Sequence, residues 1–230
     1  METIRYQLRD GVGCITLDDG KANVMSVPFF SRLDETLDAA EQDKPATLVF
    51  SGRPGMFSGG LDLKLLPTLS SDDLATLVRT FARTLLRVFT FPVPTVAVLT
   101  GHAIAGGAML AFACDRRFAV DGPFRIHVNE VAIGIPLPSW MLLLGKAAIP
   151  PRWRTEALLH ARAYSPAEAS KRGIVDGLIP VDEDAVAKAL ESCADLATLS
   201  LDAYAESKRR LRSRAAEGAL SLLENELPGR

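Results

Sequence analysis

Two segments of the chain share one pattern, and together they restrict the fold more than any other feature. ATLVFSG (46–52) runs into RPGMFSGGLDLK, and PTVAVLTG (94–101) runs into HAIAGGAMLAFACD. Each begins as a short, continuous apolar run, too short and too β-branched for a helix. Runs of that kind read as strands buried on both faces, as in a parallel sheet covered by helices. A helix is predicted directly after each glycine turn. Glycine there lets a ligand approach the main chain, and a helix start offers unpaired N–H groups with a partial positive charge. Two such turns on neighbouring strands would aim two N–H groups at one oxygen, forming an oxyanion hole. The same pattern also fits two ordinary tight turns, and spacing alone leaves both readings open.

The remaining segments extend this α/β reading. Residues 3–8 and 12–17 (VGCITL) predict a hairpin around Asp10-Gly11. Pro28 opens a helix to about Glu41, with Phe29, Leu33 and Leu37 on one face. Residues 72–90 follow helical spacing, and Pro92 and Pro94 end that helix. RRFAVD and FRIHV predict short strands. From Ser139 onward the pattern is almost entirely helical, apart from a short run near GLIPVD (177–182). Strands interleaved with helices to about residue 135, then helices, predict an α/β core with a helical C-terminal region.

Several function classes are disfavoured. A net charge of −2 over 230 residues does not suit a general nucleic-acid binder. The densest basic stretch, KRRLRSR (208–214), reads as a solvated helix face or as a contact for an anionic group such as a phosphate. Cys14, Cys114 and Cys193 sit among apolar neighbours without CxxC spacing, as free thiols in a reducing compartment would. No apolar run reaches the ~18 residues of a membrane span, and METIRYQLRDG lacks the form of a secretory signal. These features predict a cytoplasmic protein. LLLGKA (142–147) lacks the upstream glycine and the Ser/Thr of a P-loop, and no GxGxxG occurs.

As a set, MFSGGLDL and GHAIAGGAMLAFACDRRFAV resemble the signature segments of the crotonase (enoyl-CoA hydratase/isomerase) family. The similarity runs from the VGCITL hairpin to AYSPAEASKRGIVDGLIP. It implies a spiral core of ββα units, like that of some self-compartmentalising proteases, over residues 1–180. Residues 181–230 would then be helices for oligomerisation and active-site cover. It also implies an acyl-CoA thioester as substrate, with CoA part of the substrate and no separate cofactor or metal, and a homotrimer or hexamer. The thioester oxygen would be held by the backbone N–H groups of Leu61 and Gly106. Ala22, with Lys21 and Asn23, would line the CoA path. Lys64 would contact a phosphate, and Lys208 or Arg209 would reach a neighbouring CoA.

Hydratases of this family typically carry two glutamates. One of those positions is Met109 here; the other falls in VNEVAIGIPLPSW and is Glu130. Adding water across a double bond is commonly served by two acid–base groups. Moving a double bond from C3–C4 to C2–C3 needs one base, which removes a C2 proton and returns a proton to C4. A single carboxylate in an apolar pocket suits that shuttle, because desolvation raises its basicity. Met109 would exclude water and pack against the acyl chain, and Asn129 would orient Glu130 or shape the turn. NEVAIGIPLPSW resembles the Δ3,Δ2-enoyl-CoA isomerase branch, although His127 stands where relatives usually have glycine. Besides an isomerase of fatty-acid degradation, the residues leave open a one-glutamate hydratase or another crotonase-type acyl-CoA reaction, a serine hydrolase using Ser58, and an inactive CoA-binding relative. His102 reads as structural, and Asp62 as a local cap.

Overall fold

The computed structural model describes residues 3–227. In chain order the first half comprises β1 (Ile4–Arg9), β2 (Val12–Leu17), β3 (Val24–Met25), α1 (Val27–Asp43), β4 (Thr47–Gly52), β5 (Gly55–Ser58), β6 (Gly60–Leu61) and α2 (Ser71–Phe89). The second half comprises β7 (Thr95–Leu99), β8 (Gly101–Ile104), α3 (Gly106–Ala113), β9 (Arg116–Val120), β10 (Ile126–His127), α4 (Ser139–Ala148), α5 (Pro166–Lys171), β11 (Gly177–Ile179), α6 (Ala185–Glu191) and α7 (Leu201–Leu222).

Six strands form the main sheet in the order β1-β2-β4-β7-β9-β11, parallel except for the β1–β2 hairpin. The central strands alternate their side chains between two apolar layers, as a sheet covered on both faces requires. Leu48, Phe50, Ala97 and Leu99 point into the larger core with α1, α2 and α3. Val49, Val96 and Val98 point to the other face, against Phe118, Ile179, Ala189 and Cys193.

The chain then uses the same step three times. β4 is followed by β5, β7 by β8 and β9 by β10; the first strand of each pair joins the main sheet and the second joins a small parallel sheet, β10-β8-β5. This is the spiral of ββα units that the sequence resemblance implied. It also corrects the expected strand–turn–helix order. GHAI forms β8 before α3 begins, and after the first glycine turn MFS and GL form β5 and β6. No helix starts at Asp62; residues 62–70 are turns and a short 3-10 stretch leading to α2. The Asp62 carboxylate accepts from the Lys64 N–H at 2.9 Å, capping its own turn.

Local chemistry sets the helix boundaries. Ser26 caps α1 through the Phe29 N–H, with Pro28 in the first turn, and Ser70 caps α2 through the Asp73 N–H. α1 and α2 are held side by side by Phe30 stacked on Phe81 at 5.0 Å and by Arg87 on Asp38 at 2.6 Å.

The C-terminal helix α7 packs on α2 and α4, and Ala216, Ala219, Leu223 and Leu227 share the larger core. Lys208, within the basic stretch, is buried. Its ammonium lies 2.7 Å from Asp115 and donates to the Val93 carbonyl at 3.2 Å, while Arg212 meets the other Asp115 oxygen at 2.7 Å. Lys208 is therefore an internal tie and does not reach toward a CoA. Arg209 and Arg210 are exposed and paired with Glu206. Among the described residues no helix is long and apolar enough to cross a membrane.

Candidate active site

The small sheet assembles the candidate site at the C-terminal ends of three parallel strands. β8, in the middle, runs through Ala105 into Gly106, the first residue of α3. β5, on one side, leads to Gly60 and Leu61. β10, on the other side, leads through Val128 to Asn129 and Glu130. Pairing continues past the strand ends: the Ala105 N–H donates to the His127 carbonyl at 2.7 Å. The turn at the start of α3 is thereby locked to the segment that carries the carboxylate.

The two glycine turns meet. A Cβ built on Gly107 would lie 2.2 Å from the Ser58 carbonyl oxygen, so only glycine admits this approach of α3 to β5. A Cβ on Gly60, where φ is +78°, would lie 2.8 Å from the Gly106 nitrogen. Gly106 itself does not have positive φ; the unusual conformation belongs to its neighbour Ala105, with φ 50° and ψ −120°. A non-glycine residue held there stores strain, and such strain concentrates at functional sites. Ala105 carries no sequence signal for this role. Gly106 is covered by Phe81 and Met25, whose nearest atoms would lie 2.7 and 2.9 Å from a Cβ placed on it. Phe81 in turn meets Trp140 edge-on at 4.7 Å.

Glu130 is the one acidic side chain in the buried set among the described residues, at 7% exposure. Burial pushes its carboxyl up to about 7, while hydrogen bonding from the Glu130 and Asn129 backbone pulls the other way. Its Oε2 has no hydrogen-bond partner, nor does Oδ1 of Asn129. A buried carboxyl with an unpartnered oxygen is costly, and one whose pKa lies near neutrality can both accept and return a proton at physiological pH.

The other candidates separate. Met109, one turn into α3, is fully buried and belongs to the larger core, on no open surface. Ala22 is half-buried, and its carbonyl accepts from the Gly59 N–H at 2.8 Å, bracing the first glycine turn. Asn23 has a structural task. It is buried at φ 49° and donates to the carbonyls of Leu17 and Phe57 at 2.9 and 3.0 Å, clipping β2 to β5. Lys64 is exposed. Ser58 donates to the Asn23 carbonyl at 2.7 Å, and its oxygen accepts from the Gly60 N–H, which makes it a strut of the turn and not a nucleophile. The His102 ring accepts from the Arg125 N–H at 3.1 Å, and the His127 ring meets the Ala161 carbonyl at 2.8 Å; both are structural.

Residues 7–226 match the family model described as enoyl-CoA hydratase/isomerase. The chain belongs to that family. The mouse mitochondrial enoyl-CoA delta isomerase 1 is 32% identical over 176 residues, covering 75% of this chain. This match spans 61% of the mouse protein's length, less than two thirds. A putative enoyl-CoA hydratase of Thermus thermophilus is 33% identical over 184 residues, covering 78% of this chain and 70% of its own. The crystal structure of human mitochondrial Δ3-Δ2-enoyl-CoA isomerase superposes with a TM-score of 0.91 at 27% identity, covering 98% of this chain and 90% of that one. The family's relatives thus carry both reaction names, and the chain is similar to its isomerase branch.

Proposed function

We propose that this family member is a Δ3,Δ2-enoyl-CoA isomerase, converting 3-enoyl-CoA thioesters of fatty-acid degradation to 2-trans-enoyl-CoA. The observation that carries the reading is Glu130, the single buried carboxyl among the described residues, unpartnered at Oε2 and shifted to about 7, with apolar Met109 where a second acid would stand. The thioester oxygen sits on the N–H groups of Leu61 and Gly106, which favour negative charge there. Glu130 takes a C2 proton, the electron pair moves through C2–C3–C4 as a dienolate held by those donors, and the same carboxyl returns a proton to C4. No water is consumed, so a site built around one carboxyl and buried apolar side chains meets every need of the step. Ala22 and Lys64 flank the path of the CoA moiety, CoA being part of the substrate, and the assembly is a homotrimer or hexamer.

The test is to supply purified protein with 3-enoyl-CoA and, separately, 2-trans-enoyl-CoA. Conjugation of the first without 3-hydroxyacyl product from the second is the expected result. Efficient hydration of the second would assign the hydratase reaction instead.

A further inference from the structure

Helix α4 begins without a cap of its own. Its N-cap position is Pro138, which has no side-chain acceptor for the exposed N–H groups of the first turn. The acceptor comes from the far end of the chain. Glu226 accepts from the Ser139 N–H at 2.8 Å through one oxygen and from the Ser139 hydroxyl at 2.5 Å through the other. The segment bearing it is anchored independently, by Leu223 and Leu227 in the larger core and by Glu224 on Arg79 of α2 at 2.7 and 2.8 Å.

What this contact holds in place is the site. The next residue, Trp140, is almost fully buried and meets Phe81, and Phe81 covers Gly106. On its N-terminal side, α4 receives the connection from Glu130 through residues 131–138, whose first six residues are exposed. That connection has one firm end at the Ala105–His127 pairing and needs a second at the start of α4. We infer that Glu226 is a positioning residue: its carboxylate stands in for the missing N-cap of α4 and so fixes Trp140 and the Glu130 connection against the oxyanion turn of the same chain. The inference rests on the functional reading above, since it assigns Glu226 a share in the same reaction. A carboxylate suits the position because a helix start favours negative charge as well as an acceptor.

The experiment uses the full chain with Glu226→Ala, and with Glu226→Ala combined with Pro138→Asp, which supplies a cap from within the helix's own segment. The sequence contains two tryptophans, Trp140 and Trp153, so a Trp153→Phe background, excited at the red edge where tyrosine does not absorb, makes Trp140 the only emitter. Glu226→Ala is expected to lower kcat/KM for a 3-enoyl-CoA at least tenfold, while affinity for CoA alone stays within about threefold. The emission of Trp140 should move to the red and become open to acrylamide quenching. Pro138→Asp should restore both. Activity within threefold of wild type in Glu226→Ala would overturn the inference. So would restored emission without restored activity, which would mean that the C-terminal segment acts by itself and not through α4. If the wild-type protein shows no isomerase activity, the functional reading fails, whereas the emission series still tests the cap: unchanged emission in Glu226→Ala would overturn that part on its own.

Discussion

Gly60 offers the sharpest perturbation, because two costs there can be separated. Its φ is +78°, so Gly60→Ala places a side chain in the left-handed region, at about 1–2 kcal/mol of stability. The new Cβ would also lie 2.8 Å from the Gly106 nitrogen, 2.9 Å from the Ile104 oxygen and 3.0 Å from the Ala105 Cβ. All three belong to the turn that presents Gly106, and none is the end of a flexible side chain. Relief requires the two glycine turns to part by roughly half an ångström or more, given normal contacts of about 3.5 Å. On the proposed reading Gly106 is an oxyanion donor; loss of one such donor is worth about 3 kcal/mol, so kcat/KM should fall by 10²–10³. Gly11→Ala is the control: its φ is +77°, but nothing lies within 4 Å of the added Cβ. Both variants should melt lower by a few degrees, about 2–4 °C per kcal/mol for a chain of this size. Only Gly60→Ala should lose conversion of 3-enoyl-CoA to the conjugated product. Equal activity in the two folded variants, or a Gly60→Ala rate within threefold of wild type, would show that the approach of the turns plays no part in catalysis.

Glu130→Gln should lower isomerisation by about 10²–10⁴ while acyl-CoA binding persists, measured by turnover and by calorimetry with a saturated thioester. Its folded carboxyl is raised from 4.5 to about 7, so the wild type loses up to about 3 kcal/mol as pH rises from below 4.5 to above 7, and the Gln variant does not. Melting curves should therefore favour the variant at pH 8 and not at pH 4, and kcat/KM of the wild type should rise through about pH 7. Lys208→Met removes one partner of Asp115 but leaves Arg212 in place. It should cost about 3 kcal/mol, seen as a melting point lower by roughly 6–12 °C, with unchanged kcat per folded molecule. Met109→Glu puts an acid at a fully buried position and should destabilise the fold without raising isomerisation; a large gain in rate would contradict the one-base scheme.

The sequence made the core strands legible because their burial on both faces leaves no polar alternation. Thr47–Gly52 and Thr95–Leu99 are continuous apolar runs and could hardly be anything else. The short strands were harder. Gly55–Ser58 and Gly101–Ile104 contain glycine and histidine, and they exist because each chain reversal delivers them beside one another in the small sheet. Pairing at that range leaves no local trace. Glu130 was readable by resemblance, yet its burial and unpartnered oxygen follow from β10 docking on β8. Ala105 was invisible, since alanine ordinarily argues for a helix and not for φ of 50°. The basic stretch misled for a related reason. Lys208 is buried by a carboxylate 93 positions away, and no local pattern distinguishes it from exposed Arg209.

These departures have a common physical logic. Ala105 is held in a strained conformation, Glu130 is buried without a full set of partners, and α4 starts at a proline without a cap of its own. Each costs stability, and none would persist on a loosely packed scaffold. They persist because the small sheet and α4 pack against helices whose apolar faces are filled by Phe30, Phe81 and Trp140. The ties that oppose them are long in sequence: Ala105 to His127, Asn23 to Phe57, Ser139 to Glu226. Each joins a segment of the candidate site, or the end of the helix that carries it, to an element formed elsewhere in the chain. Destabilisation there should therefore appear first as a loss of turnover. Cooling or a stabilising thioester ligand should restore turnover where the tie alone has weakened, and should not restore it in Glu130→Gln, where the base itself is gone.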